Sequence, residues 1–354
     1  MRAMSWPPAD STLNDKLRHQ VTQGDSSAIS PRGWCNYTRI SAHCPFHDGG
    51  GRFSCHLASP RYSKCVQLPP QSLNVCAVLA GRTIILVGDS LTEQHFNTLR
   101  CHACGSNCTP LSAPHARNSS RGDWTPLALR DRCTVFSGCG RICVVRAFEV
   151  HSHYPSAVNY SVVLEDIAMA FEDSETAPIV VFNEGLWLRS ANGHAKALQL
   201  AVSRAENLAS AWAQHQSRSR YGRRACVLWR ETSPQDFQTT TGAYAANGAG
   251  WLRTWYNKAA CASHANQTDS PWEPVHAVLT RGGIPLVRVW RASRLYFDHH
   301  LDRNTLYMRR KGASDCTHYC TPGPIDTWID PLLRVVVDSC SRRRGYVVQT
   351  GTSR

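Results

Sequence analysis

The sequence predicts an α/β domain with a mostly parallel sheet, because buried-strand patterns alternate with helical patterns along the chain. Apolar, largely β-branched runs at 83–87 and 179–182 are typical of strands that are buried on both faces. A stretch at 195–216 repeats apolar residues at helical spacing. With 42% hydrophobic and 18% charged residues among 354, a disordered or collagen-like chain is excluded.

The remaining elements are predicted in order along the chain. A helix is expected at 93–100, directly after the first strand, and two further strands are expected at 225–229 and 284–290. Pro285 lacks an N–H group, so the last of these is predicted to be an edge strand or to start late. A terminal helix is expected at 328–337.

Four segments are expected from changes in composition. They are a flexible leader at 1–30, a cysteine-rich lead-in at 31–78, the α/β domain at 79–340 and a basic tail at 341–354. The lead-in contains too little apolar material for a core of its own, so we expect it to be stapled by disulfides and packed on the main domain.

Sixteen cysteines are an even number and well above ordinary usage. Zinc is one interpretation, since Cys101 with Cys104 and Cys139 with Cys143 have ligand-like spacing. The cysteines are nevertheless scattered, and five glycosylation sequons accompany them, at Asn36, Asn107, Asn118, Asn159 and Asn266. The combination favours disulfides in the secretory pathway, in the Golgi lumen or after secretion. No amino-terminal signal sequence is visible in this chain, and no run of eighteen apolar residues suggests a transmembrane helix.

The chain has a formal net charge of +13, which suits an acidic partner such as an anionic glycan. No nucleic-acid-binding motif is present, so nucleic acid is not an expected partner.

The first candidate site residue is Ser90, which follows Gly88 and Asp89 at the end of the first strand. Functional groups of open α/β sheets collect at the carboxyl ends of strands, and a following helix offers free N–H groups to a developing oxyanion. The alternative is purely structural: Asp89 or Ser90 caps the helix, and Glu93 completes a capping box.

A serine nucleophile needs a base and a group that orients the base. Asp315 precedes His318 by three residues in a predicted loop between Cys316 and Cys320, so one turn could present both side chains to Ser90. The alternative is a structural loop with a surface histidine.

Asn183 follows the strand at 179–182 and precedes Gly185, where its amide could donate to an oxyanion or simply form a turn. Among other candidates, His151 with His153 and His299 with His300 could be metal ligands, but paired surface histidines are more often bystanders. No metal is therefore expected.

The order of these pieces is that of GDSL-type (SGNH) hydrolases, and the chain more closely resembles the trichome birefringence-like proteins of the PC-esterase family. The resemblance runs over about 34–333. The blocks that carry it are Cys44-Pro-Phe46 with Cys55 and Cys65, Val87-Gly-Asp-Ser-Leu91 with Gln94, Val181-Phe-Asn-Glu-Gly-Leu-Trp187, Trp229-Arg230-Glu-Thr-Ser-Pro234 and, most specific, Asp315-Cys-Thr-His-Tyr-Cys-Thr-Pro-Gly323 followed by Asp326-Thr-Trp328.

The resemblance implies a three-layer SGNH-like domain and a serine-dependent O-acetyltransferase that acts on polysaccharide hydroxyls in the Golgi lumen. It implies Ser90 as nucleophile, His318 as base, Asp315 as its partner, and Ser90 N–H with Asn183 as oxyanion donors. Gly88, Asp89, Gly185 and Arg230 would support these motifs. The implied partners are a glycan acceptor and an acetyl donor, and no cofactor is implied.

The chain departs from the family pattern in two places. Thr92 and Glu93 replace the Arg-Asn pair that commonly follows the nucleophile, and the family's second oxyanion glycine has only Gly138 and Gly140 as candidates. The sequence leaves two alternative functions open. One is a carbohydrate O-acetyl esterase, and the other is a secreted glycan-binding protein that keeps the fold without catalysis.

Overall fold

A computed structural model describes residues 73–104, 133–147, 159–186 (without 173 and 175), 194–218, 225–237, 261, 269–294, 296, 299–301, 315–320 and 323–341. The predicted leader at 1–30, most of the lead-in and the basic tail lie outside these residues, as do His151, His153 and four of the five sequons. The four predicted segment boundaries stay predictions.

The described residues form a mixed α/β domain whose elements follow the predicted alternation. In chain order they are α1 (Val75–Leu79), β1 (Thr83–Gly88), α2 (Ser90–Cys104), β2 (Cys133–Phe136), β3 (Gly140–Arg146), α3 (Tyr160–Ala170), β4 (Ile179–Phe182), α4 (His194–Arg218), β5 (Cys226–Arg230), α5 (Glu273–Arg281), β6 (Leu286–Val287), α6 (Trp290–Arg294), β7 (His300–Leu301), β8 (Asp315–Tyr319), a 3₁₀ turn (Pro324–Trp328), α7 (Ile329–Val336) and a π turn (Val337–Ser341).

The main sheet has six strands in the order β2-β3-β1-β4-β5-β6. Only the β2–β3 pair is antiparallel. The chain leaves β1 towards β3 on one side and returns to β4 on the other, so the connections diverge at the β1–β4 pair. Such a switch point opens a crevice at the carboxyl ends of the two strands, where ligands bind in open α/β folds.

The core has two layers, one on each face of the sheet. Alternate side chains of β1 point to opposite faces, so Ile85 and Val87 pack in one cluster with α3, α4 and α5. Ile84 and Leu86 pack in the other cluster with α1, α2 and α7. The three-layer arrangement confirms the predicted fold class.

Several predicted elements are confirmed. The strand at 179–182 has the predicted bounds, and the helix predicted at 195–216 is α4. The helix predicted at 93–100 is longer, because Asp89 starts it at Ser90. The terminal helix predicted at 328–337 is shorter, as α7, and is flanked by a 3₁₀ turn and a π turn.

Two element predictions were wrong. The strand predicted at 284–290 is limited to β6, an edge strand that starts after Pro285, as that proline suggested. It ends early because the Glu231 carboxylate accepts the N–H groups of Val289 and Trp290 (2.7 and 2.8 Å), where α6 begins. The predicted loop around His318 is instead strand β8, which pairs with β7 in a separate two-stranded sheet.

The zinc interpretation was wrong for the cysteines whose bonding is described. Cys139 bonds to Cys76, Cys143 bonds to Cys133, and Cys101 is also disulfide-bonded. Two further disulfides join Cys226 to Cys340 and Cys261 to Cys316. Four disulfides among the described residues indicate a secreted or lumenal protein. No described helix is both long enough and apolar enough to cross a bilayer.

Candidate active site

Ser90 lies at the tip of the turn between β1 and α2, at the carboxyl edge of the sheet. Gly88 permits this turn because a Cβ atom there would overlap Thr92 Oγ1 and lie 2.7 Å from the Asn183 carbonyl oxygen. Asp89 caps the helix: its carboxylate accepts the N–H groups of Leu91 (3.0 Å) and Thr92 (3.4 Å). The capping interpretation therefore holds for Asp89, which leaves the Ser90 hydroxyl available for another partner.

That partner is the imidazole of His318. The Ser90 Oγ atom lies 2.6 Å from His318 Nε2, although 228 residues separate the two in sequence. His318 Nδ1 in turn lies 2.7 Å from Asp315 Oδ2. All three side chains are buried. The structure thus joins three predicted site residues in the order hydroxyl, imidazole and carboxylate that activates a serine nucleophile.

The Asp315 carboxylate defines which imidazole nitrogen carries the proton. Burial alone would raise the pKa of Asp315, but the charge of His318 and hydrogen bonds from His318 and from the Thr317 backbone lower that pKa to about 2. An ionised carboxylate only accepts hydrogen bonds, so His318 donates through Nδ1. Nε2 of the neutral ring is then free to accept the Ser90 O–H proton.

Strand β8 is held against α2 by the side chain of Gln94. Gln94 Nε2 donates to the carbonyl oxygen of Tyr319 (2.7 Å), and Gln94 Oε1 accepts the Tyr319 N–H (3.3 Å). Gln235 adds a bond from its amide to Thr317 Oγ1 (2.9 Å). The Gln94 contacts fix the Tyr319 backbone relative to the helix that carries Ser90, and Gln235 holds the Thr317 side chain on the other side of His318.

Asn183 lies beside Ser90's strand, because its N–H donates to the Val87 carbonyl oxygen (2.9 Å). Its side-chain amide donates to the carbonyl oxygens of Arg230 (3.0 Å) and Glu231 (3.3 Å). Its Oδ1 accepts from the Arg230 guanidinium, which fixes the orientation of the amide. In this arrangement the amide is not directed at Ser90, and the oxyanion role of Asn183 stays a prediction.

The Arg230 side chain is buried and donates hydrogen bonds to residues next to the turn that carries Ser90. Besides Asn183, its Nη2 donates to Thr92 Oγ1 (3.3 Å), and its guanidinium lies 4.6 Å from the Trp328 ring centroid. Burial lowers the pKa of Arg230 to about 10, so it remains a cation at neutral pH. Burial also raises the pKa of Asp89, and the nearby charge of Arg230 opposes that rise. Thr92, a departure from the family pattern, is thus part of this network.

The helix amino terminus offers a donor for an oxyanion. The Asp89 carboxylate accepts the N–H groups of Leu91 and Thr92, and its backbone carbonyl oxygen accepts those of Thr92 and Glu93. Among the described residues, the Ser90 N–H is left without an acceptor, as the first N–H of a helix often is. A tetrahedral oxygen formed at Ser90 could accept it.

Gly138 and Gly140 are at the wrong edge of the sheet for a second oxyanion donor. Gly140 lies beside Arg82, at the start of β1, whereas Ser90 follows the end of the same strand. The six residues of β1 span about 20 Å. Gly185 is instead at the correct edge, where its φ of 142° and its packing on Thr232 and Trp272 favour glycine.

Sequence reasoning missed several residues that hold the site. Gln94 belongs to the family-like block around Ser90, but neither its contact with β8 nor the contact of Gln235 was predicted, since long-range side-chain hydrogen bonds leave no spacing pattern. His299 and His300 were predicted to be surface bystanders, and this was wrong, because both are buried. His300 pairs with Asp236 (2.7 Å) and stacks on Tyr319.

One group of metal-ligand residue types occurs among the described residues, formed by Glu231, Glu273 and His276. A guanidinium already lies within it: Arg288 Nη1 is 2.7 Å from Glu231 Oε1, 2.9 Å from Glu273 Oε1 and 3.0 Å from His276 Nδ1. This cation pairs with both carboxylates and occupies the place of a metal ion, so the group is an ion-pair network.

Comparison with known proteins agrees with the fold. Residues 72–335 match the PC-Esterase family, described as a GDSL/SGNH-like acyl-esterase family found in Pmr5 and Cas1p. A match to this family supports an enzyme of the esterase and acyltransferase class. Because the match covers most of the chain, this protein belongs to the PC-Esterase family.

A crystal structure of protein YXIM from Bacillus subtilis is also similar, with 12% sequence identity and a TM-score of 0.29. The similarity covers 80% of this chain and 60% of that protein. No curated protein sequence matches this chain.

Proposed function

We propose that this protein is a serine-dependent O-acetyltransferase that moves an acetyl group to or from polysaccharide hydroxyls through an acyl-enzyme on Ser90. The observation that carries the proposal is the continuous contact from Ser90 Oγ to His318 Nε2 and from His318 Nδ1 to Asp315 (2.6 and 2.7 Å). The polysaccharide acceptor is supported by the resemblance to the trichome birefringence-like proteins, and a net charge of +13 suits an anionic glycan.

The reaction would proceed in two steps. His318 Nε2 takes the Ser90 proton while Oγ attacks the acetyl carbonyl carbon, and Asp315 stabilises the imidazolium that forms. The tetrahedral oxygen accepts the Ser90 N–H. Collapse breaks the bond to the donor oxygen, which leaves with the proton of His318, and the acetyl group remains on Ser90.

In the second step the same imidazole removes a proton from a sugar hydroxyl, which attacks the acetyl carbonyl carbon. The bond between that carbon and Ser90 Oγ then breaks, and Oγ takes the proton from His318. Water in place of the sugar would make the protein an O-acetyl esterase. Asn183 is proposed as a second oxyanion donor, which requires its amide to leave the carbonyl oxygens of Arg230 and Glu231.

The decisive experiment incubates the purified protein with an acetyl donor, alone and with a panel of glycans. We expect an acetylated Ser90 peptide by mass spectrometry and acetylated glycan as product. Asp315→Asn is the control, which should keep the fold and lose both products. Acetate release without glycan product would establish the esterase instead.

The third possibility, a glycan-binding protein without catalysis, gives a different result. The wild type and Ser90→Ala would then bind the same glycans with equal affinity, and no acetylated Ser90 would form with any donor. We further propose a Golgi or secreted location, which microscopy of the tagged full-length protein in its native cell would test.

A further inference from the structure

Strand β8 carries both Asp315 and His318, and a second imidazole contacts its backbone. His300 Nδ1 lies 3.1 Å from the carbonyl oxygen of His318 itself. The His300 ring also stacks on Tyr319, with centroids 4.3 Å apart. The peptide unit between His318 and Tyr319 is thus bonded on both sides, by His300 at its carbonyl oxygen and by Gln94 at its N–H.

The two nitrogens of His300 both face acceptors. A carbonyl oxygen only accepts, so Nδ1 must carry a proton. Nε2 lies 2.7 Å from Asp236 Oδ2, and two lone pairs at that distance would repel, so a proton lies between them as well. The pair is therefore imidazolium with carboxylate, or imidazole with carboxylic acid, and its net charge is zero in both cases.

Asp236 is held to the same strand by its backbone. Its N–H donates to the Cys316 carbonyl oxygen (3.0 Å), and only 1% of its surface is exposed. Asp236 and His300 thus contact two carbonyl oxygens of β8, at residues 316 and 318. A buried pair of this kind is rigid, because breaking it would leave an uncompensated polar group in the interior.

We propose that Asp236 and His300 form a second carboxylate–imidazole pair that positions His318 through its main-chain carbonyl oxygen. The inference rests on the proposed function of the Ser90 site. Neither residue is a catalytic residue, since His300 contacts the backbone of His318 and not its ring. The pair acts as a positioning element that keeps Nε2 of His318 within hydrogen-bond distance of Ser90.

The other titratable groups around the pair do not replace it. Burial and the charge of His300 lower the pKa of His299 to about 4, so His299 is neutral at pH 7. Burial and the charge of Asp236 raise the pKa of Tyr319, so that phenol is neutral too. Asp315 is already bonded to His318.

The test compares His300→Phe, Asp236→Ala and Asp236→Asn in the full chain. Phenylalanine keeps the stacking on Tyr319 but loses both hydrogen bonds. With 4-nitrophenyl acetate, we expect kcat to fall roughly 10- to 100-fold for His300→Phe, as for a base displaced by about an ångström, while KM changes little. Reaction of Ser90 with a fluorophosphonate should slow by the same factor.

The two Asp236 variants separate hydrogen bonding from a general loss of packing. An asparagine amide can donate to Nε2 of neutral His300 and preserve the bond to His318, so Asp236→Asn should keep most of the activity. Asp236→Ala should lose as much as His300→Phe. Because the pair acts as a unit, the double variant Asp236→Ala with His300→Phe should be no slower than His300→Phe alone.

His102→Phe is the matched control, since His102 pairs with Asp326 at 2.8 Å in an equally buried position. It should lose thermal stability as His300→Phe does, but keep its kcat. Equal kcat for wild type and His300→Phe would overturn the inference, as would an equal fall for His102→Phe.

A wild type that neither turns over nor labels would count against the proposed function alone. The positioning role then has its own measurement in the Ser90→Ala protein. The low-field proton signal of His318 Nδ1–H should shift on His300→Phe and not on His102→Phe, and an unchanged signal would refute the role.

Discussion

The two halves of the candidate active site are held in place by different kinds of contact. The nucleophile half is built locally: Gly88 allows the turn, Asp89 caps the helix that follows, and Ser90 lies between them. The base half depends on distant segments. Strand β8 is short and outside the main sheet, and its backbone is tied to residues far away in sequence, among them Gln94, 225 residues from Tyr319.

The difference teaches which changes each half can tolerate. In the local half, a larger side chain at Gly88 would clash with Thr92 in the same turn. In the base half, β7 is the neighbouring strand of β8 among the described residues, and side chains make further hydrogen bonds to the β8 backbone. Substitutions of those side chains should displace His318 without touching it.

The substitution Asp315→Asn, in the base half, is expected to have the largest effect on kcat. An asparagine amide at this position can donate to Nδ1, which would place the remaining imidazole proton on Nε2, where it cannot accept from Ser90. We expect kcat to fall about 10⁴-fold, by analogy with the same substitution in serine proteases. Initial rates with an acetyl ester measure the change.

Asp330→Asn is the control for this substitution, because Asp330 pairs with Arg334 on the partly exposed face of α7. A retained rate in Asp315→Asn would show that Asp315 does not orient the base.

A second test, Gln94→Leu, removes the two hydrogen bonds that join the helix of Ser90 to strand β8. The Tyr319 N–H and carbonyl groups would lose their partners in a buried place, at about 1–3 kcal/mol for each group. We expect the free energy of unfolding to fall by about 3 kcal/mol and the activity of the folded protein to fall as well. Urea unfolding with parallel rate measurements would show both.

Gln214→Leu provides the comparison for Gln94→Leu, since the Gln214 side-chain amide donates to Ser210 Oγ on an exposed part of α4. It should change stability by less than about 0.5 kcal/mol. Equal stability of the two variants would mean that Gln94 does not hold β8.

The local half is tested by Gly88→Ala. The new methyl group would overlap Thr92 Oγ1 and press on the Asn183 carbonyl oxygen. We expect a loss of about 2 to 3 kcal/mol, as for an overpacked core position. Adding Thr92→Ala should recover part of the loss, because it removes one of the two clashes. Thermal unfolding of the three proteins gives the result, and a fully stable Gly88→Ala would contradict the turn geometry.

The smallest expected effect is a loss of folding stability at acidic pH. The pKa of Asp315 is about 2 in the folded protein and 3.8 in the unfolded reference, so its ionised form stabilises the fold above the higher value. That stabilisation, about 2 kcal/mol, should be lost as pH falls from about 4 to 2. The wild type should therefore lose more stability than Asp315→Asn over this interval, and parallel curves for the two proteins would disprove the linkage.

The sequence predicted the local half well and the base half only by residue type. Buried strands such as β1 and β4 show in the sequence because every position is apolar, and Gly-Asp-Ser is a contiguous signal. Asp315 and His318 were found through their spacing, but the surrounding strand was predicted as a loop. Its conformation comes from long-range bonds by Gln94, Gln235 and His300, which no local pattern records.

The same reasoning explains the error at 284–290. The apolar pattern favoured a strand, and the pattern contained no sign that a glutamate some sixty residues earlier would take the N–H groups of Val289 and Trp290. His300 was misjudged for a related reason: the carboxylate that accompanies its burial, Asp236, lies 64 residues earlier in sequence.

The distance in sequence between Ser90 and His318 has a consequence for biosynthesis. At about 5–20 residues per second, a ribosome adds the intervening 228 residues in roughly 10 to 45 s. During that interval the hydroxyl has been made and its imidazole has not, so the nascent chain cannot acylate itself or its neighbours. The serine can therefore be activated only after β8 has been translated, when β1 to β6 of the main sheet have already been made.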